Sequence, residues 1–175
     1  IILVLMKPLY AIGVTIGMNV QLKPCQILQK GFLVQIIREP NNPKEWENYY
    51  QLRWQILREP LQLDKGSEKD DLENSAIHRV IIEDCNIVGV GRLHLIDNNN
   101  AQIRYMAIKE EFRNKGLGKL IVAEFIQISK EQKISKIILY ARKSAVKFYE
   151  KYNFSIVKKA HRLKGIQHFL MEKVI

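Results

Sequence analysis

Residues 112–119 read Phe-Arg-Asn-Lys-Gly-Leu-Gly-Lys, the composition of a loop that binds an anion. Because Gly116 and Gly118 have no Cβ, the backbone there can come close to a ligand. The surrounding pattern predicts a strand before this loop and a helix after it, and the first turn of a helix has N–H groups without internal partners. These N–H groups, the helix dipole and three basic side chains together form a seat for a pyrophosphate or a similar anion.

A plainer interpretation is a helix start with exposed basic side chains, since short glycine motifs also occur without a ligand. Two familiar phosphate loops do not fit. A P-loop needs a longer glycine spacing followed by Lys-Ser/Thr, whereas Gly118 is followed by Lys119 and Leu120. A dinucleotide fingerprint needs a third Gly or Ala three residues after the second glycine, and Ile121 stands there.

The rest of the chain predicts the elements that position this loop. Apolar residues alternate with period two in some segments and recur at helical spacing in others. Between the first helix and the second strand, residues 61–74 read as an acidic loop with room for a short helix over 69–73. The predicted strands are 33–38, 76–83, 87–96, 101–108, 136–141, 154–159 and 166–174, and the predicted helices are 43–58, 117–132 and 144–152.

Charge and composition describe a globular chain with a basic half. Of 175 residues, 47% are apolar and 26% are charged, and the net charge is +10. Residues 141–175 contain nine Lys/Arg and two acids, which suits a polyanionic ligand such as a nucleotide. Nucleic acid would fit the charge too, but no helix-turn-helix, zinc or RNP pattern is present. Cys25 and Cys85 show neither paired spacing nor a metal pattern, so a reduced, cytoplasmic setting is expected.

Residues 1–32 do not follow the pattern of the rest and are interpreted as a poorly specified N-terminal extension, with one domain over 33–175. The apolar runs in this segment are shorter than the ~20 residues of a membrane helix. One explanation is upstream translated sequence with Met18 as the true start. The alternative is a peripheral membrane anchor.

Two motifs in the same order resemble the GNAT acetyltransferase superfamily. The first is R-x-x-G-x-G, beginning at Arg113, and the second is residues 145–154, which resemble the A-x-x-F-Y-E-K-x-G-F segment of that family. A closer likeness is to the bacterial ElaA/YjcF-like branch. It rests on Leu52-Arg53, Leu57-Arg58-Glu59-Pro60-Leu61, Tyr140-Ala141-Arg142 and Gly165-Ile166-Gln167-His168.

The resemblance implies an α+β fold, a mixed and mostly antiparallel sheet of about six to seven strands with helices on both faces. Two central parallel strands are expected to splay apart, and acetyl-CoA is the implied cosubstrate, with no metal. Its pantetheine arm would pair with the backbone of Met106, Ala107 and Ile108. The implied contacts to the rest of the cofactor are Arg113, Asn114, Lys115, Gly116, Leu117, Gly118, Lys119 and Arg142.

The implied chemistry is acyl transfer from a thioester to an amine. A backbone N–H near Met106 or Ala107 would stabilise the oxyanion. By resemblance, Tyr149 is the proton donor to the departing sulfur, although Phe148 and Tyr152 flank it and a core tyrosine is the simpler interpretation.

The general base is not identified, because the predicted strand 101–108 has no acid where many relatives carry a Glu. The open candidates are His78, His94, His168 and Glu59. Two positions depart from the family pattern: Arg142 replaces an Asn that touches CoA, and Asn153 replaces a Gly.

The sequence therefore predicts an acetyl-CoA-dependent N-acetyltransferase whose acceptor is an amine on a small molecule or a peptide. The rival from another class is a catalytically silent acyl-CoA-binding module, which would keep the glycine loop without needing Tyr149. No nucleic acid and no membrane are expected as partners, and the chain is expected to be a monomer or a homodimer.

Overall fold

The computed structural model describes residues 35–175. The predicted extension over 1–32 and the predicted start of the first strand at Leu33 lie outside the described residues. Seven strands and three α-helices follow in chain order: β1 (Ile36–Arg38), α1 (Pro43–Leu57), β2 (Ile77–Glu83), β3 (Asn86–Leu95), β4 (Asn100–Ile108), α2 (Leu117–Glu131), β5 (Lys136–Arg142), α3 (Val146–Glu150), β6 (Ser155–Leu163) and β7 (Ile166–Val174).

The strands form one sheet in the order β1-β2-β3-β4-β5-β7-β6. Of the strand pairs in the described part of the chain, only β4 and β5 run parallel, and every other neighbouring pair is antiparallel. The two faces carry separate cores. Tyr49 and Leu52 of α1 pack with Val90 of β3 on one face, whereas Ile121 and Phe125 of α2 pack with strand residues on the other. The predicted fold class, a mixed and mostly antiparallel sheet with helices on both faces, is confirmed.

Three boundaries differ from the sequence predictions. The short helix expected over 69–73 is wrong, since the regular turn there is a 3-10 helix at Glu73–Ser75. Helix α3 is shorter than predicted because a 3-10 turn, Lys143–Ala145, precedes it. Strand β6 continues to Leu163, which pairs with Ile166 across a two-residue turn. The charged residues at the end of β6 hid its continuation, because an exposed edge strand lacks the apolar alternation that marks a half-buried one.

The two central parallel strands separate after their first half. Pairing of β4 with β5 runs from Asn100↔Lys136 to Ile103↔Leu139 and then stops. Beyond that point Tyr105 has a φ of 52°, and the register between β3 and β4 shifts between Val90 and Arg92. A bulge bends a strand and increases its twist. The facing edges of β4 and β5 beyond the bulge therefore have no partner strand among the described residues.

A buried ionic network holds the acidic loop over the α1 face of the sheet. Arg53 and Arg92 are fully buried. Glu73 bonds both guanidinium groups, accepting from Arg53 at 2.8 Å and from Arg92 at 2.5 Å, and Asp70 accepts from Arg92 at 2.6 Å and from Arg104 at 2.9 Å. Buried guanidinium groups are tolerated only when they are paired. The loop is thus fixed by side-chain charge rather than by a helix.

Cys85 lies in the turn between β2 and β3. Over residues 35–175, none of the helices has the length and apolar character needed to cross a bilayer.

Candidate functional site

The glycine loop lies between β4 and α2, as predicted. Asn114 and Gly116 both have left-handed backbone conformations, with φ of 62° and 82°. A Cβ added at Gly116 would meet nothing within 4 Å, so this position needs glycine for its backbone conformation and not for space. The N–H groups of residues 114–118 make no hydrogen bond within the described part of the chain. They are free to bind an anion at the start of α2.

The side chains of the loop divide into exposed cations and a buried anchor. Arg113, Lys115 and Lys119 are exposed, whereas Leu117 is 1% exposed and packs in the core. Leu117 can therefore offer a ligand only its backbone. Arg113 Nε donates to the Ile108 carbonyl oxygen at 3.4 Å, which ties the loop to the end of β4.

Met106, Ala107 and Ile108 follow the bulge on the separated half of β4. Ala107 and Ile108 pair with Val90 and Gly89 of β3 on one side, and their other edge faces the gap toward β5. Backbone N–H and C=O groups at such an edge need partners. An extended ligand that carries amide groups matches this requirement by adding a strand-like segment to the edge.

Tyr149 lies in α3 against the same separated half of β4. Its hydroxyl donates to Met106 Sδ at 3.7 Å, and the side chain is 9% exposed. Burial raises the pKa of the Tyr149 phenol well above its usual range, so the group is protonated at neutral pH. Phe148 and Phe154 pack edge-on against its ring. The structure thus places the Tyr149 hydroxyl, which is protonated and only weakly hydrogen-bonded, against the separated half of β4.

Gly118 brings α2 close to the aromatic segment. A Cβ built on Gly118 would lie 3.0 Å from Phe148 Cζ and 3.5 Å from Met106 Cε. The glycine therefore provides space between the first turn of α2, the aromatic segment and β4. The sequence predicts a different reason for this glycine, the close approach of a ligand.

We expect Gly118→Val to abolish CoA binding, because the added side chain would displace Phe148 and Met106 toward the gap between β4 and β5. The fold should remain, with a loss of roughly 1–3 kcal/mol from overpacking. Calorimetry with CoA and a thermal melt measure the two effects. Gly118→Ala is the graded control, and unchanged CoA affinity in a folded Val variant would contradict the site.

Two of the four candidate bases have other roles. Both ring nitrogens of His78 are engaged, Nδ1 with the Tyr49 hydroxyl at 3.0 Å and Nε2 with the Glu73 carbonyl oxygen at 2.7 Å. His94 is buried opposite Gln102, before the strands separate. Burial, with the charges of Arg92 and Arg104, lowers the pKa of His94 to about 4. Both histidines lie away from the gap.

The other two candidates lie near the ends of α1 and β5, which meet where Arg142 donates to the Leu57 carbonyl oxygen. Glu59 begins a 3-10 turn at the end of α1, and its exposed side chain makes no bond within residues 35–175. His168 is 7% exposed and pairs with Arg142 across β7 and β5. Its Nδ1 lies 3.0 Å from the Ile166 carbonyl oxygen, which can only accept, so Nδ1 carries the proton and the neutral ring keeps a lone pair on Nε2. Burial lowers the pKa of His168, and the charges of His161, Arg142 and Arg58 lower it further.

Arg142 ends β5 on the α1 face. Its Nη2 donates to the Leu57 carbonyl oxygen at 3.2 Å, and Arg58 Nη1 donates to the same oxygen at 3.2 Å. Arg58 is not among the predicted site residues, although it lies in one of the segments that carry the family resemblance. The proximity of these two arginines depends on how α1 ends against β5, which no local pattern shows.

Comparisons with known proteins agree with this geometry. Residues 44–154 match the family described as Acetyltransferase (GNAT) family. The protein YyaT of Bacillus subtilis (strain 168) is 30% identical over 112 residues, which are 64% of this chain and 75% of YyaT. YjcF of the same organism, named as an uncharacterized N-acetyltransferase, is 26% identical over 133 residues, which are 75% of this chain and 94% of YjcF.

Solved structures of low identity share the fold. Ard1 from Thermoplasma volcanium has a TM-score of 0.69 at 23% identity, over 81% of this chain and 97% of its own. An aminoglycoside 6'-N-acetyltransferase complexed with coenzyme A has a TM-score of 0.68 at 15% identity, over 79% and 96%. Escherichia coli ElaA has a TM-score of 0.65 at 14% identity, over 81% and 99%.

Proposed function

Because this chain belongs to the GNAT acetyltransferase family, we propose that it transfers the acetyl group of acetyl-CoA directly to a primary amine. A C–N bond forms to the carbonyl carbon, the C–S bond breaks, the amine loses one proton and the sulfur gains one. The observation that carries this proposal is the separation of β4 from β5 beside the glycine loop, with the Tyr149 hydroxyl against the same half of β4.

The described residues fit acetyl-CoA on physical grounds. Free N–H groups at residues 114–118 and three exposed cations suit a pyrophosphate, and the open edge of β4 suits the two amides of pantetheine. Acetyl-CoA would supply the reaction with an activated carbonyl carbon and a thiolate leaving group. The protein must then bind and orient the two substrates, accept the proton that the amine loses and supply the proton that the sulfur gains.

One group stabilises the carbonyl oxygen, and a second protonates the leaving sulfur. A backbone N–H near Met106 or Ala107 would donate to the carbonyl oxygen as negative charge develops there. The Tyr149 hydroxyl, which already donates to the sulfur of Met106, would donate to the leaving sulfur instead. Its raised pKa keeps the proton on the phenol until the sulfur acquires charge.

We assign the role of general base, the group that accepts the proton lost by the amine, to His168. Its neutral form has an Nε2 lone pair with no hydrogen-bond partner among the described residues, and it lies opposite Arg142 at the end of β5. The cations beside it also lower the pKa of a bound ammonium group, which favours the neutral amine that attack requires.

The pH dependence tests this assignment. The pKa of His168 is lowered from its usual 6.5, so the base is deprotonated throughout the neutral range. Turnover at saturating substrates should therefore fall only as the pH drops below 6.5. His168→Asn should lower turnover by about 10²-fold or more and remove this acid limb. His161→Asn removes the ring that stacks on His168 and lowers its pKa, so this variant should keep the acid limb and move it to higher pH. An unchanged acid limb in His168→Asn would rule out His168 as the general base.

The first experiment separates this function from its rivals. Calorimetry with CoA, in the presence and absence of a competing oligonucleotide, tests the cofactor site against nucleic-acid binding. Release of free CoA thiol from acetyl-CoA in a screen of amines and peptides then tests transfer. Binding of CoA without release for any amine would favour the silent binding module. We also propose a cytoplasmic location, since that is where an acetyl-CoA-dependent enzyme meets its cosubstrate.

A further inference from the structure

Two guanidinium groups that have no counter-ion among residues 35–175 meet at the end of α1. Arg58 and Arg142 donate to one shared acceptor, the Leu57 carbonyl oxygen, at 3.2 Å each. The two donating nitrogens are therefore no farther apart than two hydrogen-bond lengths. Arg58 Nε also donates to the Ser67 carbonyl oxygen at 2.9 Å. Like charges at this separation repel each other, and neutral carbonyl oxygens do not cancel them.

This pair is exceptional among the arginines of residues 35–175. Five of them form ion pairs with carboxylates: Arg38, Arg53, Arg79, Arg92 and Arg104. Four have no carboxylate within ion-pair distance, and two of these four, Arg113 and Arg162, are exposed to solvent. Only Arg58 and Arg142 are both partly buried and unpaired, and burial together with Arg58 and Arg113 lowers the pKa of Arg142.

The pair lies on the opposite face of the sheet from Tyr149. Leu139 and Ala141 of β5 face the core that contains Tyr149, whereas Arg142 reaches the end of α1 on the other face. The guanidinium of Arg58 is 5.3 Å from the ring of Tyr105, the bulge residue that precedes Met106. The two arginines thus span the gap between β4 and β5 from the α1 side.

A ligand amine that reaches the gap from the α1 face would pass this pair. We propose that Arg58 and Arg142 bind an anionic group on the acceptor, so that the substrate is an amine that also carries a carboxylate or a phosphate. This inference rests on the proposed function for the amine, and on the unpaired cations for the anion. Two guanidinium groups can hold the oxygens of one such group with charge-assisted hydrogen bonds, which removes the repulsion between them.

The test compares amines that differ only in the anionic group. Glycine, β-alanine and 4-aminobutyrate are assayed against their carboxamides, and 2-aminoethyl phosphate against ethanolamine. We expect the charged member of at least one pair to have a kcat/KM about 10- to 100-fold higher, as charge-assisted hydrogen bonds would give. The pair that shows the preference distinguishes a carboxylate from a phosphate acceptor.

Variants assign the preference to the arginines. Arg142→Gln and, separately, Arg58→Gln should raise the acceptor KM for the charged member about 10- to 100-fold more than the KM for its neutral partner. Arg162→Gln, an exposed and unpaired arginine on β6, should keep the preference. Two variants are used so that a folding defect in one, seen in its thermal melt, does not decide the outcome.

A binding measurement separates this inference from the proposed function. N-acetyl-β-alanine and its carboxamide are titrated into the protein with and without CoA, which requires no turnover. Tighter binding of the carboxylate that is lost in Arg142→Gln supports the subsite even if no amine is acetylated. Equal binding of the two compounds, a preference retained in both variants, or a rise only in the KM for acetyl-CoA would overturn it.

Discussion

Tyr149→Phe should lower turnover by about 10²–10⁴-fold while leaving CoA affinity and thermal stability near those of the parent, because a general acid typically contributes that factor. The substitution removes one oxygen and keeps the ring that packs against Phe148 and Phe154. Among the described residues the hydroxyl has only the Met106 thioether, 3.7 Å away, as its partner, so little stabilising energy is lost with it. Steady-state kinetics, CoA calorimetry and a thermal melt measure the three quantities.

Tyr152→Phe provides the matched control, since Tyr152 is a half-buried ring that packs on Phe148 and its hydroxyl makes no hydrogen bond within residues 35–175. Its turnover should equal that of the parent. A Tyr149→Phe variant that also turns over like the parent would remove Tyr149 from the mechanism. A large fall in melting temperature without a kinetic change would favour the simpler interpretation, a tyrosine that belongs to the core.

The family and its ElaA/YjcF-like branch were predictable because their signals are local in sequence. The loop at Arg113 and the segment around Tyr149 are continuous motifs. The family match confirms the family, the similarity to YjcF agrees with the branch, and the ElaA structure shares the fold. The fold follows from the same resemblance. The individual site residues stay predictions, since the comparisons identify a family and a fold without testing any side chain.

Features that depend on contacts between distant segments were not predictable. Arg58 and Arg142 are brought to one carbonyl oxygen by the end of α1 and the end of β5. The choice among His78, His94 and His168 likewise required knowing which ring nitrogens already have partners. Neither fact is encoded in periodicity or in motif spacing, because both depend on how elements pack.

The acidic loop also depends on contacts that the sequence did not predict, and a substitution there has the largest expected effect on stability. Its sequence indicates a solvated acidic segment, yet the Glu73 side chain is 11% exposed and binds both Arg53 and Arg92, which are fully buried. Removing one partner of a buried ionic network leaves an uncompensated charge. The intact network therefore adds little net stability, but removing any one member is strongly destabilising.

We accordingly expect Glu73→Gln to lower the free energy of unfolding by about 3–5 kcal/mol, the typical cost of breaking a buried ion pair. For a chain of this size that is a fall in melting temperature of roughly 10 °C. Asp71→Asn, an exposed neighbour in the same loop, should change little. A Glu73→Gln variant as stable as Asp71→Asn would mean that the buried guanidinium groups find other partners.

The pH dependence of stability gives an independent readout of the same network. Burial alone would raise the pKa of Glu73, but the hydrogen bonds and charges of Arg53 and Arg92 outweigh it and the net shift is downward. Arg92 likewise lowers the pKa of Asp70. A depressed pKa in the folded state stabilises the protein above the unfolded carboxyl value, and this stabilisation is lost as pH falls through the depressed values. In urea titrations the parent should therefore lose stability below about pH 4. Glu73→Gln, which lacks one of these carboxylates, should lose less between neutral and acid pH, and parallel curves for the two proteins would contradict a role for Glu73 in the network.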